Sequence, residues 1–192
     1  MTIHSLQIIR DEHAALSAML RSMEMMLARG PGDEPERFFD VLRAMLFYID
    51  EFPERLHHPK ESQLLFPRVA RLAPETQDTL KKLDADHAVS ETAVRELQHL
   101  LLAWELVGDA RHQAFEDAAR KYIAQYLAHM RLEESVVLPA AERVLSGEDW
   151  REIDTAFAAN QDPLTGAHPR DPAYDRLFTR IVMRAPAPIG VG

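Results

Sequence analysis

The chain has 192 residues, 46% of them hydrophobic and 28% charged, the composition of a soluble domain with one well-filled core. A net charge of -9 argues against nonspecific nucleic-acid binding, which needs a cationic field to displace phosphate counterions. There is no cysteine, which excludes disulfides, thiolate metal sites and cysteine nucleophiles, so any metal must be held by histidine and carboxylate.

No apolar run approaches the roughly 20 residues that span a bilayer. The opening MTIHSLQIIRDEH lacks the basic and small-residue features of a signal peptide, so the expected setting is cytoplasmic, without membrane or nucleic-acid partners. Four long segments then keep a helical period. The first runs from about Ser5 to Arg29, its stripe made by Leu6, Ile9, His13, Leu16, Leu20, Met23 and Leu27. Met23, Met25 and Met26 read as gap-filling core. RGPGDEP breaks the chain, with Asp33 as the expected N-cap and Glu36 as its capping-box partner. The second segment runs from about Pro35 to Leu72, with Phe38, Leu42, Met45, Ile49 and Phe52 inward. Pro74 restarts a third, striped by Leu80, Leu83, His87, Ser90, Val94, Leu97, Leu101 and Trp104, and Gly108-Asp109 makes the next turn. The fourth carries Phe115, Ala119, Tyr122, Tyr126, His129, Glu133, Val136 and Ala140, and Gly147 is expected to end it.

Strand signals are absent, so the fold class is all-α: an up-down-up-down four-helix bundle over residues 1–147. The remaining 148–192 read as a short helical extension, with one helix in DWREIDTAFAANQDPL and another in PAYDRLFTRIVMR. Such a piece cannot bury a core alone and should pack on the bundle or on a second subunit, as in a homodimer.

Two stretches carry the chemistry. HHPKESQLLFP, starting at His57, and HMRLEESVVLP, starting at His129, align at an offset of 72 residues: His57 with His129, Glu61 with Glu133, Pro67 with Pro139. His13 and His87 stand upstream on the two preceding helices, so the chain is a tandem repeat of one His-bearing helix and one HxxxE-bearing helix. Residues four apart share a helix face, so each His-Glu pair can reach a common point near the bundle axis. A lone core histidine usually finds a carbonyl partner and means nothing more. Four histidines and two glutamates on four inward stripes would cost several kcal/mol each to desolvate without compensation. Bound cations compensate, and imidazole with carboxylate suits iron, manganese or zinc. Two carboxylates can also bridge two ions.

This pattern resembles the hemerythrin family in its HHE cation-binding form over roughly residues 1–147. The resemblance implies that His13, His57, Glu61, His87, His129 and Glu133 hold two iron ions in an oxo- or hydroxo-bridged di-iron centre, Glu61 and Glu133 bridging, with zinc or manganese as substitutes. Its implied ligand is a small diatomic or peroxide (O2, NO or peroxide), bound, sensed or turned over in oxygen, redox or nitrosative-stress handling. An iron donor for iron–sulfur cluster repair, or an iron storage or sensing module, is the alternative, and a redox partner protein is left unidentified. Oxygen-carrying hemerythrins have HxxxH on the third helix and HxxxxD on the fourth. Here HAVSE puts Glu91 where the fifth histidine would stand, which makes Glu91 a secondary candidate ligand.

Other side chains receive plainer readings. Ferritin-like bundles use Glu-x-x-His on two helices, and ERLH and ELQH match that spacing, but His99 faces away from its stripe. His58 points about 100° from His57 on an α-helix and reads as a rim residue. His4, His112 and His168 read as surface, and Tyr126 as core. Asp11, Glu12, Asp86 and Glu134 flank the candidate ligands and could orient an imidazole through its free nitrogen. Pro53 and Pro59 each remove a backbone donor, and a kink there can absorb the two extra residues between Tyr48 and His57 relative to Tyr122 and His129.

Overall fold

The computed structural model describes residues 3–165 and 171–192, so the reading of His168 lies outside the described residues. Helix α1 spans His4–Arg29 and stops at Gly30, whose φ of 67° a residue with a side chain adopts only under strain. Helix α2 covers 35–72. It begins as Pro35–Ile49, passes through wider π-helical turns at Asp50–His57 and Glu61–Leu65, and ends as Phe66–Leu72. Its N-cap is Glu34 with Pro35 in the first turn and no side-chain cap bond, so the expected Asp33–Glu36 capping box does not form. A proline needs no N–H partner at that position, and its fixed φ already suits the helix.

Helix α3 spans Gln77–Val107 and ends at Gly108, with φ 94°. Helix α4 covers 112–144, as His112–Leu132, a π-helical turn at Glu133–Val137, and Leu138–Val144. Gly147 opens helix α5 (Gly147–Phe157) rather than closing α4, because Ser146 and Asp149 form a reciprocal capping box there. Helix α6 spans Asp175–Arg184. Among the described residues there is no strand, and no helix is long and apolar enough to cross a membrane.

Helix α1 packs on α2 and α4, and α3 packs on the same two, giving an all-α, up-down-up-down four-helix bundle. Its interior divides into two apolar halves. One holds Leu6 and Ile9 from α1, Leu65, Phe66 and Val69 from α2, Leu80 and Leu83 from α3, and Val137 and Leu138 from α4. The other holds Leu20 and Met23, Met45 and Ile49, Leu97 and Leu101, and Phe115 and Tyr122 from the same helices. Along each helix the crossing from one half to the other falls at a histidine. That alternation fixes the antiparallel order and leaves a polar layer between the halves.

The segments after α4 lie on this bundle. Trp150, Ile153 and Phe157 of α5 join the first half of the core, and Asp154 accepts hydrogen bonds from the backbone N–H and hydroxyl of Ser5 at 2.7 and 2.6 Å. Helix α6 lies along α2 and buries Ile181. Ser22 ties the tail to α1 by donating to the Pro186 carbonyl at 2.8 Å and accepting from the Ile189 N–H at 3.1 Å. Met25 is the exception in its methionine run, facing solvent while Met23 and Met26 are buried.

At the far end Trp104 meets Phe38 and Phe39 edge-on, with ring centroids 5.4 and 5.0 Å apart, and is 3% exposed. Truncating a buried aromatic of this size leaves a cavity that close packing cannot refill. Trp104→Ala should therefore lower the unfolding free energy by about 3–5 kcal/mol in a denaturant titration. A loss under about 1 kcal/mol would show that this end of the core is not close-packed.

Candidate metal centre

Local backbone chemistry places the side chains. Each HxxxE motif is followed by a proline six residues after its glutamate, Pro67 and Pro139. A proline cannot donate to the carbonyl four residues back and its ring crowds that carbonyl, so the turn opens. The next available donors bond five residues back, Phe66 N–H to Glu61 O and Leu138 N–H to Glu133 O. The same widening in the first copy begins earlier, where the His58 N–H bonds Pro53 O, and this π-helical run absorbs the longer spacing before His57. On α4 the opened turn advances the inward register by one residue. Val137 is buried and Val136 only half-buried, correcting the expected stripe.

Two groups of side chains converge in the polar layer. His13, His57, Glu61 and Glu133 form one, with a ligand atom from each within 4.8 Å of the others, and His58, Glu61, His87 and His129 form the second within the same limit. Glu61 belongs to both, with Oε1 2.7 Å from His57 Nε2 and Oε2 3.4 Å from His87 Nε2. Glu133 Oε2 also faces both sides, 3.4 Å from His13 Nε2 and 3.9 Å from His129 Nε2. Both carboxylates are wholly buried, and the histidines are at most 8% exposed.

An oxygen atom meets Nδ1 of each ring, while Nε2 of His13, His57, His87 and His129 faces the central carboxylates and Nε2 of His58 meets the Tyr126 hydroxyl. Glu134 meets His13 Nδ1 at 3.0 Å, Glu12 meets His57 at 2.6 Å, Glu54 meets His58 at 3.0 Å, and Ser62 meets His87 at 2.9 Å. Asp86 lies 3.6 Å from His129 Nδ1. A ring held this way presents its Nε2 lone pair, the form that binds a cation. Asp11, the fourth flanking carboxylate, bonds Gln7 instead.

The fit to a cation can be judged from the atoms left over. Both oxygens of Glu61, both of Glu133, and His57 Nε2 are buried without a hydrogen bond of acceptable geometry. Orphaned buried polar atoms are rare, and five in one place call for a partner. On the other side His87 Nε2 faces His129 Nε2 at 3.0 Å. Two nitrogen lone pairs at that separation repel unless a proton or a metal ion stands between them. Burial, then the neighbouring His58 and His129, lowers His87 to about 2, so the ring is neutral and the contact is either an Nε2–H···Nε2 hydrogen bond between neutral imidazoles or a shared cation. The donor set fits metal ions.

Electrostatics divide the layer in two. Burial and the charge of His57 hold His58 well below the usual range, and burial lowers His129, so the second group offers neutral imidazoles. In the first group burial opposes the charge on His13, yet the nearby carboxylates of Glu133 and Glu134 outweigh it and raise His13 to about 9. Burial likewise opposes protonation of His57, but Glu61 and Glu12 raise it well above its ordinary value. Burial and the facing Glu133 push Glu61 up to about 8, while Glu133, against the pull of burial, is held low by the neighbouring His13.

The structure brings together all six residues anticipated from spacing: His13, His57, Glu61, His87, His129 and Glu133. Glu91 lies outside both groups, with its carboxylate exposed and paired to Arg95 at 2.7 Å. His58 is the residue that the spacing missed. It is 6% exposed and stacks on His87 with centroids 3.9 Å apart, so it is no rim residue. Helix α2 passes between the two groups, so adjacent residues on its distorted turn face opposite groups, His57 one and His58 the other. The Glu54–His58 pair, a second His-carboxylate pair four residues apart, was the available signal. Glu54 bonds His58, Ser90 and Tyr122 but not His57, against the ferritin-like alternative. Tyr126 is buried as expected, and its hydroxyl lies 2.8 Å from His58 Nε2. His4 and His99 are exposed, and His112 is half-buried, stacked on Trp104.

Comparison with known proteins agrees with this geometry. A family model described as the hemerythrin HHE cation binding domain matches residues 4–141, which includes every residue of both groups. No curated protein matches the chain. With five histidines and two glutamates buried in one layer of a four-helix bundle, the chain belongs to the hemerythrin family of HHE cation-binding domains.

Proposed function

We propose that this chain holds a dinuclear iron centre and uses it to bind or react with a small ligand such as O2, NO or peroxide. The observation that carries the reading is the convergence of imidazoles on Glu61, common to both groups, and on Glu133, with all four carboxylate oxygens buried and without a hydrogen bond. His13 and His57 would hold one ion, His58, His87 and His129 the other, and Glu61 and Glu133 would join both. Iron, manganese and zinc all accept this mixture of nitrogen and oxygen donors. The family resemblance favours iron, with zinc or manganese as substitutes. Bound iron supplies one-electron redox change and a coordination position for a small molecule.

The chain's own residues do the rest. Glu12, Glu54, Asp86, Ser62 and Glu134 fix the ring orientations, which keeps the centre preorganised when ligands exchange. The apolar halves above and below exclude bulk water and strengthen every charge interaction in the layer. One observation favours the second reading, an iron donor or store. A cleft of about 140 Å³, lined by Asp86, Ser90, His87 and His129, opens to the surface beside the second group and would allow metal to exchange there.

Metal analysis after anaerobic loading should give about two ions per chain. Glu133→Ala should lose most of both, because its carboxylate faces both groups, whereas Glu91→Ala should keep both. One ion or none in the unaltered chain would overturn the reading. Retention of both by Glu133→Ala would remove its joining role.

Loading should also release protons. With His13 raised to about 9 and Glu61 to about 8, both hold protons at pH 7 in the metal-free chain, and Glu61 and Glu12 raise His57 in the same direction. A ligand must be deprotonated to bind metal, so loading expels about two protons or more, and affinity rises as pH climbs toward 9 and falls as pH drops. Calorimetry in buffers of different ionisation enthalpy counts these protons, and a pH-independent affinity would contradict the assignment.

A further inference from the structure

Beyond the residues that the family model matches, the chain returns to the metal layer. Asn160 and Asp162 follow α5 and are 3% and 5% exposed. Asn160 Nδ2 donates to Glu12 Oε2 at 3.1 Å, the same oxygen that meets His57 Nδ1, while the Lys60 ammonium is held at Asn160 Oδ1. Asp162 accepts from the Tyr48 hydroxyl at 2.6 Å and from the Leu164 N–H at 2.8 Å. Phe157 stands edge-on to His57, with centroids 5.7 Å apart.

Asn160, Asp162 and Glu12 line a small cavity together with the apolar Leu16, Phe52 and Leu56, and His13, His57, His58 and Tyr126 also border it. Its volume of about 10 Å³ limits a guest to a molecule of a few atoms. Organic substrates are excluded by size. The wall also selects by chemistry. An ionised carboxylate accepts hydrogen bonds and donates none, and each Asp162 oxygen has one donor and a spare lone pair. Burial raises the Asp162 carboxyl to about 6, which leaves it mainly ionised at neutral pH. An anion entering this low-dielectric space meets like charge. A diatomic without hydrogen finds nothing to donate. A small molecule bearing O–H finds an acceptor.

We propose that the segment following α5 is the selectivity wall of the centre, with Asp162 accepting a hydrogen bond from hydrogen peroxide, or a similarly small hydroxyl-bearing molecule, held beside His13 and His57. This rests on the dinuclear reading above and narrows its ligand class. Asn160 is a positioning residue, since it acts through Glu12 on the orientation of His57.

The test uses the full-length, iron-loaded protein with two probes, azide at equilibrium and hydrogen peroxide in rapid mixing, both followed optically. Asp162→Asn keeps the shape and removes the charge. It should retain its metal, bind azide about threefold or more tightly because a like charge is gone, and react with peroxide about tenfold or more slowly because an acceptor is gone. Opposite signs for the two probes are the signature, since a loosened structure would move both together. Shifts of the same sign, or no shift in either, would overturn the proposal. Tyr48→Phe leaves the charge but frees the carboxylate. It should slow peroxide about threefold without tightening azide, and equal effects on both probes would again contradict the wall. If the unaltered chain holds no metal, the dinuclear reading falls and takes this proposal with it. If it holds two ions and answers azide normally while Asp162→Asn changes nothing, only this proposal falls.

Discussion

The bundle depends on one electrostatic constraint: five imidazoles and two carboxylates lie in a dry layer between two apolar halves. Removing such groups from water costs several kcal/mol per ion unless opposite charge and good geometry repay it. In the metal-free chain the compensation is partial. One carboxyl is ionised and the other pushed toward protonation, two histidines carry protons, and three stay neutral. Cations in the layer would satisfy the orphaned atoms together. The π-helical turns, the following prolines and the oxygen atoms behind each ring all serve to aim those atoms at shared points.

The tandem repeat gives this layer an approximate twofold character, and the exceptions to it are informative. His58 and Met130 occupy equivalent places after the paired histidines. His58 reaches across to the group containing His87 and His129, whereas Met130 carries a thioether whose partner is the Ser17 hydroxyl at 3.9 Å. One group thus has three imidazoles and the other two. The poorer group is the one beside the small cavity and the wall that follows α5. The repeat is thus divided into a well-filled side and a side with room for a guest.

Much of this was legible in the sequence because the governing signals are local and periodic. Three-four stripes gave the four helices, and the repeated HxxxE with its upstream histidine gave six of the seven residues in the layer. What failed involved departures from the ideal α-helix. The 100° rule misplaced His58 because α2 is opened by prolines just there, and the same widening moved the inward position from Val136 to Val137. Glu91 stands where the third helix lacks a fifth histidine, although that histidine is present instead as His58, beside His57. Gly147 was read as a stop because glycine often ends helices, but Ser146 and Asp149 make it a start. Asn160 and Asp162 had no periodic signal at all, since their position depends on where the chain returns after α5.

Anomalous diffraction at the iron edge from crystals of the loaded protein tests the central claim most directly. The account predicts two peaks, one beside His13 and His57 and one beside His58, His87 and His129, with Glu61 and Glu133 between them. A single peak, or metal density at Glu91 with His58 still bonded to Tyr126, would contradict it.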